Sequence, residues 1–153
     1  MPDDPLDLED FLPYRLSVLS NRVSAQIAEA YSDRFGMSIP EWRVMAVLAP
    51  SPGLSAAEVA ERTAMDKVAV SRAVRRLLAT GRARRETTPG DRRRSALELS
   101  AEGQRIYRRI VPVLLRYEAE LLAGLNPAER RILNAALERL AQRAGQLAPP
   151  RIG

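Results

Sequence analysis

The sequence contains no cysteine and no histidine among its 153 residues. The lack of cysteine excludes disulfides, thiol redox sensing and thiolate nucleophiles. Without either residue, zinc sites built on nitrogen or sulfur ligands are excluded as well. We also find no nucleophile–base pair and no glycine-rich phosphate loop. The sequence therefore indicates a protein that is not an enzyme, and we expect neither a cofactor nor a metal.

Long apolar runs are also lacking. No stretch approaches the roughly 18 apolar residues that span a bilayer. The first ten residues carry five acids and no base, unlike the basic start of a signal peptide. These features predict a cytoplasmic protein. The length suits one domain with a proper core, or one domain with an appended dimerisation element.

Positive charge is concentrated in one stretch, Asp66–Arg94, although lysine occurs only at Lys67. This stretch has ten Lys or Arg and three acids, a net charge of +7, whereas the whole chain carries +5. Such concentration is typical of proteins that bind a phosphate backbone. A solvated arginine surface is the alternative interpretation.

Apolar periodicity, capping signals and turn residues predict a mainly α protein with a small β-hairpin wing. The fold class is a winged helix-turn-helix domain with N- and C-terminal dimerisation helices. The predicted elements are helices at Leu12–Phe35, Ser38 to before Pro50, 55–62, Lys67–Ala79, Ser100 to about Leu122 and Asn126 to about Gly145, with strands at Arg82–Thr88 and Ser95–Leu99.

The helices at 55–62 and 67–79 have the spacing of a helix-turn-helix, because only about three residues join them. The second of them combines an apolar face with an opposite face of small and basic residues. Small side chains let a helix backbone approach base edges, and arginines reach guanine edges or phosphates. The candidate DNA-binding residues of this helix are Lys67, Val68, Ser71, Arg72 and Arg75.

The hairpin that follows has a turn signal at Pro89-Gly90-Asp91 and a basic tip. A basic tip beside a DNA-reading helix can lie in the adjacent minor groove, where narrow A·T tracts attract arginine. Its candidate DNA-binding residues are Arg84, Asp91, Arg92, Arg93 and Arg94.

The terminal helices carry more apolar surface than a domain of this size covers, so a second copy of the chain is the simplest partner. We predict a helical dimerisation region at residues 8–35 and 100–147, and a winged helix-turn-helix DNA-binding domain at 38–99, in one continuous fold. For the first helix, packing on its own domain and packing on a second subunit both remain open.

The chain resembles the MarR family of winged-helix transcriptional regulators from about Leu8 to Leu147. The matching segments are Pro40–Leu48, Leu54–Ala60, Val70-Ser-Arg72, Gly90-Asp-Arg-Arg93 and Leu97–Gly103. The resemblance implies a homodimeric repressor that binds double-stranded DNA at a near-palindromic site. It places Ser71 and Arg72 on the major groove and Arg93 in the minor groove, with Asp91 orienting the wing.

The resemblance also implies release of DNA by a small aromatic effector. The segment Tyr14–Ser20 is similar to a subgroup that responds to aromatic acids or their CoA thioesters, and it suggests Tyr14, Arg15 and Trp42 as ligand-binding residues. Arg82 departs from the family pattern, which has an aliphatic residue there. We expect Arg82 to open the start of the strand to solvent or to contact a phosphate.

One alternative function is a protein-interaction module that uses the basic face for an acidic protein partner. Winged helices can serve this purpose, because a fold does not fix a function. A DNA titration with a scrambled-sequence control separates the two possibilities.

Overall fold

The computed structural model describes residues 5–87 and 95–153. These form two compact units, Met1–Leu114 and Leu115–Gly153. The described elements are α1 (Leu12–Phe35), α2 (Ile39–Leu48), α3 (Ala56–Thr63), α4 (Lys67–Ala79), β1 (Ala83–Thr87), β2 (Ser95–Leu99), α5 (Ala101–Leu122) and α6 (Pro127–Gln146). The predicted order and fold class are confirmed. The first strand begins at Ala83, one residue later than predicted, and leaves Arg82 outside it.

Local capping explains why several helices begin where they do. The Ser38 hydroxyl accepts a hydrogen bond from the Glu41 amide, and the Glu41 carboxylate accepts one from the Ser38 amide. The same reciprocal capping box starts α3 at Ser55 and α6 at Asn126. Each box satisfies amides that a helix start would otherwise leave unpaired.

The core of the first unit lies where α2, α3, α4, the hairpin and the start of α5 meet. Met45, Leu48, Leu77, Leu97 and Ile106 are all fully buried there. β1 and β2 pair antiparallel, with Ala83 opposite Leu99 and Thr87 opposite Ser95. A short bridge between Leu54 and Leu97 adds a third segment to the hairpin, which the sequence pattern did not predict.

The burial of apolar side chains on helix α1 changes along its length. Near its C-terminal end Tyr31 is buried, and Ile27 and Phe35 pack against the core. Towards the N-terminus the apolar side chains of Leu16 and Leu19 stay exposed. The end of α1 thus packs on its own chain, whereas the start of its apolar face is uncovered.

The side chain of Trp42 on α2 is partly buried and packs against the core, beside the fully buried Met45 and Leu48. Its ring stacks between Tyr31 and Tyr107, with centroids 5.7 Å and 5.8 Å away. Burial raises the pKa of the Tyr31 hydroxyl, although the Arg43 cation opposes this rise.

The helices that follow the hairpin bury little of their apolar stripe. In the first unit Ile106 and Ile110 of α5 are buried, and the helix runs on through Pro112. In the second unit α6 has no buried residue, and Leu133, Leu137 and Leu140 are exposed. Among the described helices, none combines the length and apolar character needed to cross a bilayer.

Candidate nucleic-acid interface

The turn between α3 and α4 sets the direction of α4. Ala64 ends α3 with a φ of 50°, and within residues 5–87 and 95–153 it is the only non-glycine residue in the left-handed region. Asp66 then caps α4, because its carboxylate accepts a hydrogen bond of 2.9 Å from the Val68 amide. The predicted helix-turn-helix is therefore present.

The two faces of α4 separate as predicted. Val70, Ala73, Val74 and Leu77 are buried against the core. The candidate DNA-binding residues of this helix are all exposed on the other side, namely Lys67, Val68, Ser71, Arg72 and Arg75. Val68 is 55% exposed, and its methyl groups suit contact with a thymine methyl group.

Arg76 was missing from the predicted site residues, yet it borders the same face. Its Nε atom lies 2.9 Å from Oε1 of Glu41, whose side chain is only 3% exposed. A buried carboxylate requires such a partner, and this one also caps α2. The ion pair ties the middle of α4 to the start of α2. No local sequence pattern links these two residues.

A hollow of about 630 Å³ lies beside this ion pair. Its walls come from the end of α1, the start of α2 and the side of α4 that carries Arg72 and Arg76. The hollow therefore borders the candidate DNA-binding face, and Arg72 and Arg76 help to line it.

The hairpin presents a second set of cations. Arg84 lies opposite Glu98 in the strand register and forms an ion pair with it, so its charge is partly neutralised in the free chain. Arg85 donates a hydrogen bond of 2.8 Å to the Ser95 hydroxyl. The other predicted wing residues, Asp91, Arg92, Arg93 and Arg94, lie outside the described residues.

Helix α4 ends in a Schellman motif. The Gly81 amide donates to the Leu78 carbonyl, and the Arg82 amide donates to the Leu77 carbonyl. Gly81 has a φ of 69°, which a glycine adopts without strain. This motif fixes the backbone at the point where α4 leads into the hairpin.

We expected Arg82 to open the start of the strand to solvent or to contact a phosphate. The phosphate contact stays a prediction, and Arg82 is half-buried. Its guanidinium donates a hydrogen bond of 2.6 Å to the Phe35 carbonyl, at the last residue of α1. The Arg82 side chain therefore has a partner within the chain, and the distance in sequence between the two residues explains why periodicity gave no signal for it.

The contacts of Ser100 and Gly103 explain the residue pattern at the start of α5, where Leu99 and Ser100 are followed after two residues by glycine. Ser100 donates its amide to the Arg82 carbonyl and its hydroxyl to the Gly81 carbonyl. An added Cβ at Gly103 would lie 2.0 Å from the same Arg82 oxygen. Only glycine therefore lets the first turn of α5 approach the end of α4 this closely.

The predicted ligand-binding residues are divided between two places. Tyr14 and Arg15 line a hollow of about 290 Å³ on α1, together with Leu8, Val18 and Arg22. Trp42 lies instead in the aromatic stack with Tyr31 and Tyr107. Within the described part of the chain, no group of three or more Asp or Glu residues is arranged to hold a metal ion.

Comparison with known proteins gives consistent matches. A sequence model of the MarR family matches residues 35–94. The HTH-type transcriptional repressor Rv2887 of Mycobacterium tuberculosis is 30% identical over 131 residues, which is 85% of this chain and 91% of the repressor.

Two solved structures are also similar. The MarR/EmrR family regulator from Acinetobacter sp. ADP1 is 25% identical, with a TM-score of 0.84 over 93% of this chain and 100% of its own. The PcaV regulator from Streptomyces coelicolor, solved in complex with its natural ligand, is 26% identical, with a TM-score of 0.72 over 92% and 99% of the two chains.

Proposed function

Because the chain belongs to the MarR family of transcriptional regulators, we propose that it is a homodimeric repressor that acts in the cytoplasm. It binds a near-palindromic DNA site and leaves that site when a small aromatic ligand binds. The exposed basic face of α4 is the observation that carries the proposal.

This face has the properties that reading a major groove needs. Arg72 and Arg75 are exposed about one helical turn apart, and Val68 and Ser71, which precede them on the same exposed face, are small. The arginines supply guanine or phosphate contacts, and the small residues allow close approach. The wing residues Arg93 and Arg94 follow in sequence and would contact the adjacent minor groove.

Homodimerisation accounts for the uncovered apolar side chains of the terminal helices. Leu16 and Leu19 of α1 and Leu137 and Leu140 of α6 are more than two-fifths exposed. Covering these faces with a second copy removes apolar surface from water. A two-fold dimer built from residues 8–35 and 100–147 would present two α4 helices, which fit DNA when they lie about 34 Å apart.

The aromatic ligand is proposed from residue chemistry and from one relative. Arg15 can pair with a carboxylate, and the neighbouring Tyr14 ring can contact an aromatic ring. PcaV, which is similar to this chain, binds a natural ligand. We therefore propose an aromatic acid or its CoA thioester as the effector.

The DNA-binding part is tested by fluorescence anisotropy. The labelled duplexes are the region flanking the protein's own gene and a scrambled duplex of equal composition, each at two salt concentrations. We expect preference for the first duplex and a log K against log salt slope of about −0.9 for each neutralised phosphate. Equal binding of both duplexes would favour the alternative of an acidic protein partner.

Two substitutions locate the site within this experiment. Arg72→Ala should weaken binding to the preferred duplex by about 1–3 kcal/mol for each base that the arginine no longer contacts by hydrogen bonds. Arg93→Ala should have a similar effect. Arg151→Ala, which removes an exposed cation outside the DNA-binding and dimerisation regions, is the matched control and should change little. Unchanged binding by both Arg72→Ala and Arg93→Ala would refute the site.

The ligand part is tested by adding aromatic acids and their CoA thioesters to the bound complex. One compound should release the preferred duplex, and Arg15→Ala should reduce the response without changing DNA affinity in its absence. A complex that resists every compound in the panel would count against an aromatic effector and leave the DNA result standing.

A further inference from the structure

Arg82 lies at a junction of three helices of the first unit. Its amide donates to the Leu77 carbonyl at the end of α4, and its carbonyl accepts from the Ser100 amide before α5. Its side chain extends to the end of α1, where it meets the Phe35 carbonyl at 2.6 Å. The backbone contacts hold α4 and α5, and the side-chain contact adds α1.

The hydrogen bond from the Arg82 guanidinium to the Phe35 carbonyl joins a cation to the C-terminal end of a helix. The carbonyls of the last turn of a helix lack partners within the helix, and the negative end of the helix dipole attracts a cation. The contact is partly buried, so water competes with it less than at an open surface. A second cation, Arg109, lies 5.7 Å above the Phe35 ring, so this end of α1 is held from α5 as well.

We propose that Arg82 is a positioning residue for DNA recognition, whose guanidinium tethers the end of the DNA-reading helix α4 to the end of α1. The inference rests on the proposed function. In the proposed dimer α1 lies in the interface and α4 on the DNA. A tether between them fixes the position of each reading helix relative to the interface, and therefore the spacing of the two helices.

A positioning role and a phosphate contact predict different effects of Arg82 on specific and non-specific DNA binding. A phosphate contact strengthens binding to any sequence and adds to the salt dependence. A tether favours the site that needs correctly spaced helices and leaves non-specific binding unchanged. Removing only the side-chain bond should separate the two roles, because the backbone bonds of Arg82 do not depend on its side chain.

The variants are Arg82→Met, which keeps an unbranched stem without a donor, and Arg82→Lys, which keeps a cation and donor. Arg151→Met removes an exposed cation that lies outside the DNA-binding and dimerisation regions, and it is the control for net charge. A duplex is first selected from a random-sequence pool by the wild-type protein. Its affinity and that of a scrambled duplex are then measured over a range of salt concentrations for every variant.

We expect Arg82→Met to bind the selected duplex roughly 5- to 10-fold more weakly, within the range of coupling effects. Its affinity for the scrambled duplex and its salt slope should equal those of the wild type. Arg82→Lys should recover part of the loss, and Arg151→Met should show none. Amide hydrogen exchange should be faster in Arg82→Met at the end of α1 and unchanged in the buried turns of α4.

Other outcomes would overturn the inference. Parallel weakening on both duplexes with a shallower salt slope would assign Arg82 to a phosphate. Unchanged affinity for the selected duplex, or faster exchange throughout the first unit, would also exclude a positioning role. If the wild-type protein enriches no sequence, the proposed function fails before any variant is compared, and the inference fails with it.

Discussion

Helices α4 and α6 have similar apolar stripes but different surroundings. In α4 the side chains of Val70, Val74 and Leu77 are at most 2% exposed. In α6 Leu137 and Leu140 recur at helical spacing yet are 45% and 43% exposed. The comparison shows that periodicity identifies the apolar face of a helix but not what covers it. In α4 the chain itself covers the face, and for α6 we propose a second copy.

The largest difference between a helix that packs closely on the first unit and an open helix should appear at glycine. Gly103→Ala places a Cβ 2.0 Å from the Arg82 carbonyl, and because that contact is with backbone, the start of α5 must move away. We expect a loss of about 4 kcal/mol in the free energy of unfolding, at the upper end for single substitutions. Urea denaturation followed by circular dichroism measures it.

Gly145→Ala is the matched control in α6. Nothing lies within 4 Å of an added Cβ there, and alanine favours helix over glycine. We expect unchanged or higher stability, by up to about 1 kcal/mol. Equal losses for the two variants would contradict the contrast between a tightly packed and an open helix.

The next largest effect on the free energy of unfolding should come from truncating a leucine in α4 and one in α6. Leu77→Ala removes a fully buried side chain from α4 and should lower the free energy of unfolding by about 3 kcal/mol at any protein concentration. Leu140→Ala in α6 should act mainly through the proposed dimer. Its cost should therefore fall when the protein is diluted until monomers dominate.

Denaturation at several protein concentrations, with sedimentation velocity on the same samples, distinguishes these two effects. If the effect of Leu140→Ala were independent of concentration while the protein stayed dimeric, the α6 face would not belong to the dimer interface.

The smallest effect should appear at alkaline pH and concerns the buried Tyr31. Burial raises the pKa of Tyr31 above its usual value of 10.0 in the folded protein, whereas the unfolded chain titrates normally. Tyr31 therefore adds no pH dependence below that value, and stability falls as the pH rises above it, because the unfolded state loses its proton first.

Tyr31→Phe should make the loss of stability above pH 10 less steep. Thermal unfolding of the variant and the wild type between pH 8 and about 11 tests this expectation. An identical alkaline slope in Tyr31→Phe and the wild type would refute the role of burial.

The helix boundaries could be predicted because their causes are local. Ser38 with Glu41 and Ser55 with Glu58 are capping boxes within one turn, and Gly36 and Gly81 end helices in the left-handed region. The exposed face of α4 was predictable for the same reason, since it lies opposite an apolar stripe in a single helix.

The contacts that join the elements could not be predicted in this way. The Glu41–Arg76 ion pair, the Leu54–Leu97 bridge and the stacking of Trp42 on Tyr107 each connect separate elements. A residue pattern gives no signal for such pairs, because only the packing of the elements brings them together.

The sequence by itself determined the order of the elements, their caps, the basic face of α4 and the apolar faces of the terminal helices. All of these follow from interactions within a few residues or from the period of a helix. Only the tertiary structure decided which apolar faces the chain covers, and that Arg82 meets the end of α1, 47 residues away. Those outcomes depend on distances between elements, which a one-dimensional pattern does not contain.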